Sequence, residues 1–182
     1  MKKMAISTFV PLLAVGLYLA GRHLYFKPKF INGAVAPAIS ATTANGASFE
    51  LDDLRGHFVL VDFWGSWCGP CRMENRNLVR LYEKYGQASF SEGGRFDIVS
   101  IGVEEKESAW RQAMVKDGLT WPYQIVDLTG SLRFFDSPIA RSYGVKALPT
   151  SFLLNQKGEI IGVNLTFEEL DRLLSRHQLS LN

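Results

Sequence analysis

Cysteine is nearly absent: the chain of 182 residues holds two, Cys68 and Cys71. Cysteines three positions apart cannot staple a secreted scaffold, because a bridge stabilises chiefly by closing a long stretch of chain. No second pair stands ready to complete a zinc site, and the three histidines, His23, His57 and His177, are scattered. Charge of one sign is lacking too. The net charge is +2 and no run of Lys or Arg exceeds a pair, so the basic stripe of a nucleic-acid binder is missing. Internal repeats and low-complexity segments are also missing. What remains is enough chain for one domain with its own core and a short appendage.

The appendage is N-terminal. Lys2 and Lys3 precede an uncharged run from Met4 to Gly21, which Arg22, Lys27 and Lys29 close, with Tyr25 and Phe26 where interfacial aromatics are favoured. As a helix that run rises roughly 27 Å, close to the roughly 30 Å hydrocarbon core of a bilayer. Residues 1–26 are therefore expected to form a signal-anchor, a transmembrane helix that tethers the protein to a membrane. A cleaved signal peptide is the alternative, disfavoured because Tyr18 stands where a small residue should precede the cleavage site near Ala20. Basic residues at both ends leave the orientation open, but the short positive N-terminus resembles an export signal. That places the rest of the chain on the periplasmic, extracytoplasmic side. Residues 27–36 read as a linker and 37–182 as the folded domain.

Within the domain, Asn45-Gly46 between Ile39–Thr43 and Ala47–Leu51 predicts a β-hairpin. Phe58–Trp64 is almost continuously apolar, as a strand buried on both faces would be, and Phe96–Val103 is a second such strand. Gly69–Gly86 predicts a helix with Leu78, Leu81, Tyr82 and Tyr85 on one side. Glu107–Lys116 places Ala109, Trp110, Ala113 and Met114 at helical spacing. Strands at Thr150–Leu154 and Glu159–Val163 are joined by a turn at 155–158. A last helix starts at Thr166, with Glu169 completing a capping box and Phe167, Leu170, Leu173 and Leu174 as its buried stripe. This order predicts an α/β fold: a mixed central sheet flanked on both faces by helices, extended by the N-terminal hairpin.

The tract Trp67-Cys68-Gly69-Pro70-Cys71 falls between a predicted strand and a predicted helix. Disulfide exchange needs a thiolate, and a cysteine at a helix N-terminus faces the positive end of the dipole and unsatisfied N–H groups. Pro70 suits the first turn, where its missing N–H costs nothing, and Gly69 lets another chain approach. Cys71, a turn on, is within reach to attack a mixed disulfide. Cys68 is thus the expected nucleophile and Cys71 the resolving thiol of a redox-active disulfide. No metal and no cofactor is implied, since the dithiol carries the electrons. Copper bound by both thiols and a histidine remains the binding-module alternative, and a thiol peroxidase the second enzymatic one.

The sequence resembles the thioredoxin superfamily. Val61-Asp62-Phe63-Trp64-Gly65-Ser66-Trp67-Cys68-Gly69-Pro70-Cys71-Arg72 looks like its active-site strand and turn, and Ala147-Leu148-Pro149-Thr150 like its proline loop. The N-terminal anchor, the hairpin and the tract Leu51–Gly56 are similar to the membrane-anchored TlpA-like branch. The resemblance implies a thioredoxin-like fold and a protein-disulfide reductase. It implies a cis Pro149 beside the disulfide, Leu148 pairing its backbone with bound substrate, and Trp67, Gly69 and Pro70 as further substrate-binding surface. Asp62 matches a buried carboxylate that takes the Cys71 proton. Glu105 matches an acidic residue that anchored members hold near the cysteines, with Glu104 as the alternative. The partners implied are a protein disulfide substrate and a membrane dithiol electron donor, and the tasks cytochrome c maturation or repair of oxidised cysteines. Two stretches depart from the pattern: Gln87–Arg95, polar and Gly-rich, and Asp127–Tyr143, an apparent insertion (128–142) containing Phe134, Phe135 and Pro138.

Overall fold

The computed structural model describes residues 2–25, 32–131 and 136–179. Along the chain run helix α1 (Lys2–Tyr25), strands β1 (Ser40–Thr42) and β2 (Ser48–Glu50), a 3-10 turn (Leu51–Leu54), and β3 (Phe58–Trp64). Then come α2 (Gly69–Tyr85), β4 (Phe96–Glu104), α3 (Glu107–Asp117), β5 (Tyr123–Leu128), α4 (Pro138–Ser142), β6 (Thr150–Leu154), β7 (Ile160–Val163) and α5 (Phe167–His177). Strands β3 to β7 form one sheet in the order β5-β4-β3-β6-β7, while β1 and β2 form a separate hairpin. β4 lies parallel to both β3 and β5, whereas β6 runs antiparallel to β3 and β7. All seven residues of β3 are buried, as its unbroken apolar run requires of a central strand.

Two apolar layers sandwich the sheet. On one face Leu60, Trp64 and Ile98 meet Leu78 and Leu81 of α2, Trp110 of α3, and Leu170 and Leu174 of α5. Both cysteines belong to this layer. On the other face Val61, Phe63 and Phe152 pack with Phe49 of the hairpin, Leu51 and Leu54 of the 3-10 turn, and Ala140 and Tyr143 around α4. The expectation of helices on both faces needs adjustment: the second face is covered mostly by the hairpin and the turn. Ala109, placed on the α3 stripe by spacing, faces solvent, while Trp110 and Ala113 are buried. The α5 cap is as expected, Thr166 accepting from Glu169 N–H while Glu169 accepts from Thr166 N–H.

Two elements escaped the sequence pattern. β5 buries Gln124 and Asp127, so polar residues occupy inward positions and hide its alternation. The Asp127 carboxylate accepts from Ala140 N–H at 2.9 Å in the first turn of α4, which ties the apparent insertion back onto the sheet. Phe134 and Phe135 lie outside the described residues. The other departure, Gln87–Arg95, is no projecting loop: Phe90 is buried against Phe58 and Tyr85. Part of the expected linker is likewise bound to the domain, since Gly33 N–H and Ala34 C=O bond Ile160 and Ala36 N–H bonds Gly158. Residues 11–22 of α1 are exposed. Among the described residues no helix is long and apolar enough to cross a membrane, so the anchor expectation for residues 1–26 rests on the sequence alone.

Candidate active site

β3 ends at Trp64, and residues 65–67 turn the chain into α2 with Cys68 as its N-cap residue. Cys68 has extended backbone angles and its Sγ accepts from Cys71 N–H at 3.3 Å. Pro70 occupies the first helical turn, where no intrahelical partner awaits an N–H. The two cysteines are joined as a disulfide, their Cα atoms 5.3 Å apart. Cys68 is 5% exposed and Cys71 1%, and Gly69 and Pro70 are exposed beside them. Attack from outside therefore reaches Cys68 first. Trp67 is 45% exposed, so it is surface rather than core, whereas Trp64 is fully buried.

Asp62 sits on the same face of β3 as Leu60 and Trp64, in register with Ser100 of β4 and Ser151 of β6. It is 3% exposed, and its Oδ2 has no hydrogen-bond partner. Burial, with a smaller contribution from the Glu74 carboxylate, pushes its carboxyl up to about 8. Glu74 was not singled out from the sequence, although it stands three residues after Cys71, a spacing that puts both on one side of α2. With Pro149, Ser151, Asn164, Leu165 and Thr166 it lines a groove of about 240 Å³. Burial raises its carboxyl as well. The Leu148–Pro149 peptide is cis, as the resemblance implied, and Leu148 is half-buried between the two apolar layers.

The two glutamates at the end of β4 separate clearly. Glu105 is exposed, whereas Glu104 is 2% exposed and turned toward the loop before Cys68. The Glu104 carboxylate accepts from the Ser66 N–H and from the Ser66 hydroxyl. The glutamate bonded to the cysteine turn is Glu104, the alternative that the resemblance left open. A strand alternates faces residue by residue, so one step in register exchanges the two. Burial raises the Glu104 carboxyl, opposed by the Ser66 donors and Arg72.

His57 and His177 lie at the other end of the sheet. His57 precedes β3 and bonds Asp97 at 2.6 Å, and the His177 ring packs 5.1 Å from Phe58 at the start of that strand. A seven-residue strand spans roughly 23 Å, so neither histidine shares a site with the cysteines; the side chain of His23 lies outside the described residues. Among the described residues no group of three or more His, Cys, Asp or Glu is arranged to hold a metal ion. A redox pair at a helix head, beside a buried carboxyl, provides for thiol–disulfide exchange.

Comparison with known proteins agrees with this chemistry. The redoxin family profile matches residues 31–174. The thiol-disulfide oxidoreductase ResA of Bacillus anthracis is 32% identical over 148 residues, covering 81% of this chain and 78% of the relative. ResA of Bacillus subtilis is 30% identical over 154 residues, 85% of this chain and 78% of the relative. The solved thioredoxin domain of a thiol-disulfide oxidoreductase from Bacteroides vulgatus superposes with a TM-score of 0.67 at 28% identity, covering 81% of this chain and 98% of that one. The chain belongs to the redoxin family and is a thiol-disulfide oxidoreductase of thioredoxin-like fold.

Proposed function

We propose that the enzyme reduces disulfides in protein substrates outside the cytoplasm, tethered to a membrane by residues 1–26. Cys68 thiolate attacks one sulfur of the substrate disulfide, forming a mixed disulfide and releasing the other substrate sulfur as a thiolate. Cys71 then gives its proton to ionised Asp62 and attacks Cys68 Sγ. The second substrate sulfur leaves as a thiolate, both take protons from solvent to give the dithiol, and the enzyme is left with the Cys68–Cys71 bridge. Two electrons have moved to the substrate, and a membrane dithiol carrier returns two to the enzyme. Trp67, Gly69 and Pro70 offer the surface for the substrate peptide, and Leu148 beside Pro149 offers its backbone.

The observation that carries this reading is the more exposed sulfur standing at the head of α2, receiving an amide N–H, with its partner buried beneath. Net reduction follows from the Cys-Gly-Pro-Cys sequence, which matches thioredoxin with its potential of about −270 mV. The tether is supported by the uncharged run between Lys3 and Arg22, and the extracytoplasmic side by the short positive N-terminus. In cells, Cys71→Ser is expected to accumulate mixed disulfides through Cys68 that the wild type does not. Their identification decides between cytochrome c maturation and cysteine repair. No adduct from Cys71→Ser, or equal trapping by Cys68→Ser, would reverse or remove the assigned order of attack.

A further inference from the structure

Ser66 presents three polar groups, and side chains from other elements hold all of them. Its N–H and hydroxyl donate to the Glu104 carboxylate, the hydroxyl at 2.9 Å, and its carbonyl accepts from Arg72 Nη1 at 3.3 Å. Arg72 is itself clasped by both Asp117 oxygens at the end of α3, and the buried Asn75 donates to the same carboxylate at 2.7 Å. The next residue is fastened too, Trp67 Nε1 donating to Val103 C=O at 2.9 Å. Gly65 makes room for that bond, because a Cβ there would stand 2.7 Å from the indole nitrogen.

The turn closes with its own backbone bond, Cys68 N–H donating to Gly65 C=O at 3.0 Å, and the side chains add to that bond. Sinking a carboxylate to 2% exposure to hold the turn costs free energy, and buried ionic groups are better suited to fixing a single geometry than to adding stability. The geometry fixed here is that of the residue two positions on. Cys68 Sγ stays at the α2 amides only while residues 65–67 hold the chain at that entry angle. The dipole's influence falls off within the first turn. A sulfur that swings away from those amides loses its acidity.

We propose that Glu104 is a positioning residue for Cys68, acting through Ser66 to lock the turn that sets the nucleophilic sulfur against the first amides of α2. The proposal rests on the reading of Cys68 as the nucleophile. It has a distinctive sign. Removing a nearby negative charge by itself makes a thiol more acidic, whereas releasing the turn makes it less so.

The test is the pH dependence of Cys68 alkylation, with the rate of protein-disulfide reduction, in the full reduced chain and in Glu104→Ala, Glu104→Gln and Ser66→Ala. Glu104→Ala is expected to move the Cys68 titration up by about one pH unit and to slow reduction at pH 7 by about tenfold. Glu104→Gln keeps an acceptor for the Ser66 N–H and offers an amide to the hydroxyl oxygen, and is expected to restore the rate to within about threefold of wild type. Ser66→Ala, which loses one bond and no charge, is expected to titrate between wild type and Glu104→Ala. A downward shift in Glu104→Ala equal to that in Glu104→Gln would mean that only charge matters and would overturn the proposal. So would an unchanged titration in all variants, whatever their melting temperatures. Should Glu104→Ala fail to fold, Ser66→Ala titrating as wild type overturns it alone. A wild-type chain that reduces no disulfide would instead refute the functional reading, leaving the titrations to judge the clamp.

Discussion

Asp62 keeps its proton in the folded protein up to about pH 8, where an exposed aspartate would release it near 3.8. The cause is burial first and the neighbouring Glu74 carboxylate second. Because the unfolded chain ionises earlier, the folded state loses stability as pH rises through that interval and nothing further above it. At about 1.4 kcal/mol per pH unit, the loss has a ceiling on the order of 5 kcal/mol. Asp62→Asn is therefore expected to unfold at nearly the wild-type temperature at pH 4 and clearly above it at pH 9, in thermal melts of the oxidised proteins. In the proposed mechanism the same residue links stability to turnover, since only an ionised carboxylate can accept the Cys71 proton. Release of the mixed disulfide should accelerate as pH rises toward 8 in the wild type, whereas Asp62→Asn should resolve slowly at every pH. Attack by Cys68 should change little. At this scale the sequence was informative about the cysteines, Asp62 and Pro149, each identified by a motif. It did not separate Glu104 from Glu105, because the choice depends on where β4 ends, and strand ends are poorly marked by composition. Ser66 carried no signal at all, since its role depends on which side chain another strand delivers.

Among the elements, α5 offers the cleanest test of a local rule. Its capping box satisfies both the Glu169 and the Thr166 N–H groups, and its Leu170 and Leu174 close the core over α2. Thr166→Ala is expected to cost about 1 kcal/mol, lowering the melting temperature by about 2–4 °C in a chain of this size. Thr166 lines the groove beside Pro149 and its cap bonds go to Glu169, so Cys68 alkylation should be unaltered. A change in alkylation without a change in melting temperature would assign Thr166 to the site instead. The elements that could be read in advance carried either an apolar period, as β3, β4, α2, α3 and α5 do, or a strong turn between short strands, as β1–β2 and β6–β7 do. β5 was obscured by Gln124 and Asp127, and α4 by its brevity, with Ala140 its one buried residue. Both depend on partners distant in sequence, the Asp127 carboxylate reaching across to the Ala140 amide. Local propensity cannot anticipate such a bond.

At the scale of the whole molecule, one domain carries the chemistry, and the tether proposed for the N-terminal segment would decide where it works. The full chain is expected to sediment with membranes and to resist an alkaline carbonate wash. Its cysteines should react with an impermeant thiol reagent added outside intact, reduced cells. Recovery in the soluble fraction, or protection of the thiols until the cells are broken, would remove the tether or reverse its orientation. The chain between that segment and the catalytic strand has a further effect. Val35 bridges Glu159 at the start of β7, and Thr43 bridges Ile125 in β5, so the protein's own leading stretch blunts both rims of the five-stranded sheet. An unpaired rim recruits extended polypeptide indiscriminately. A bridge on each rim hinders lateral pairing by another extended chain there, which favours encounters at the sulfur-bearing end of the domain, where they lead to reaction rather than to aggregation.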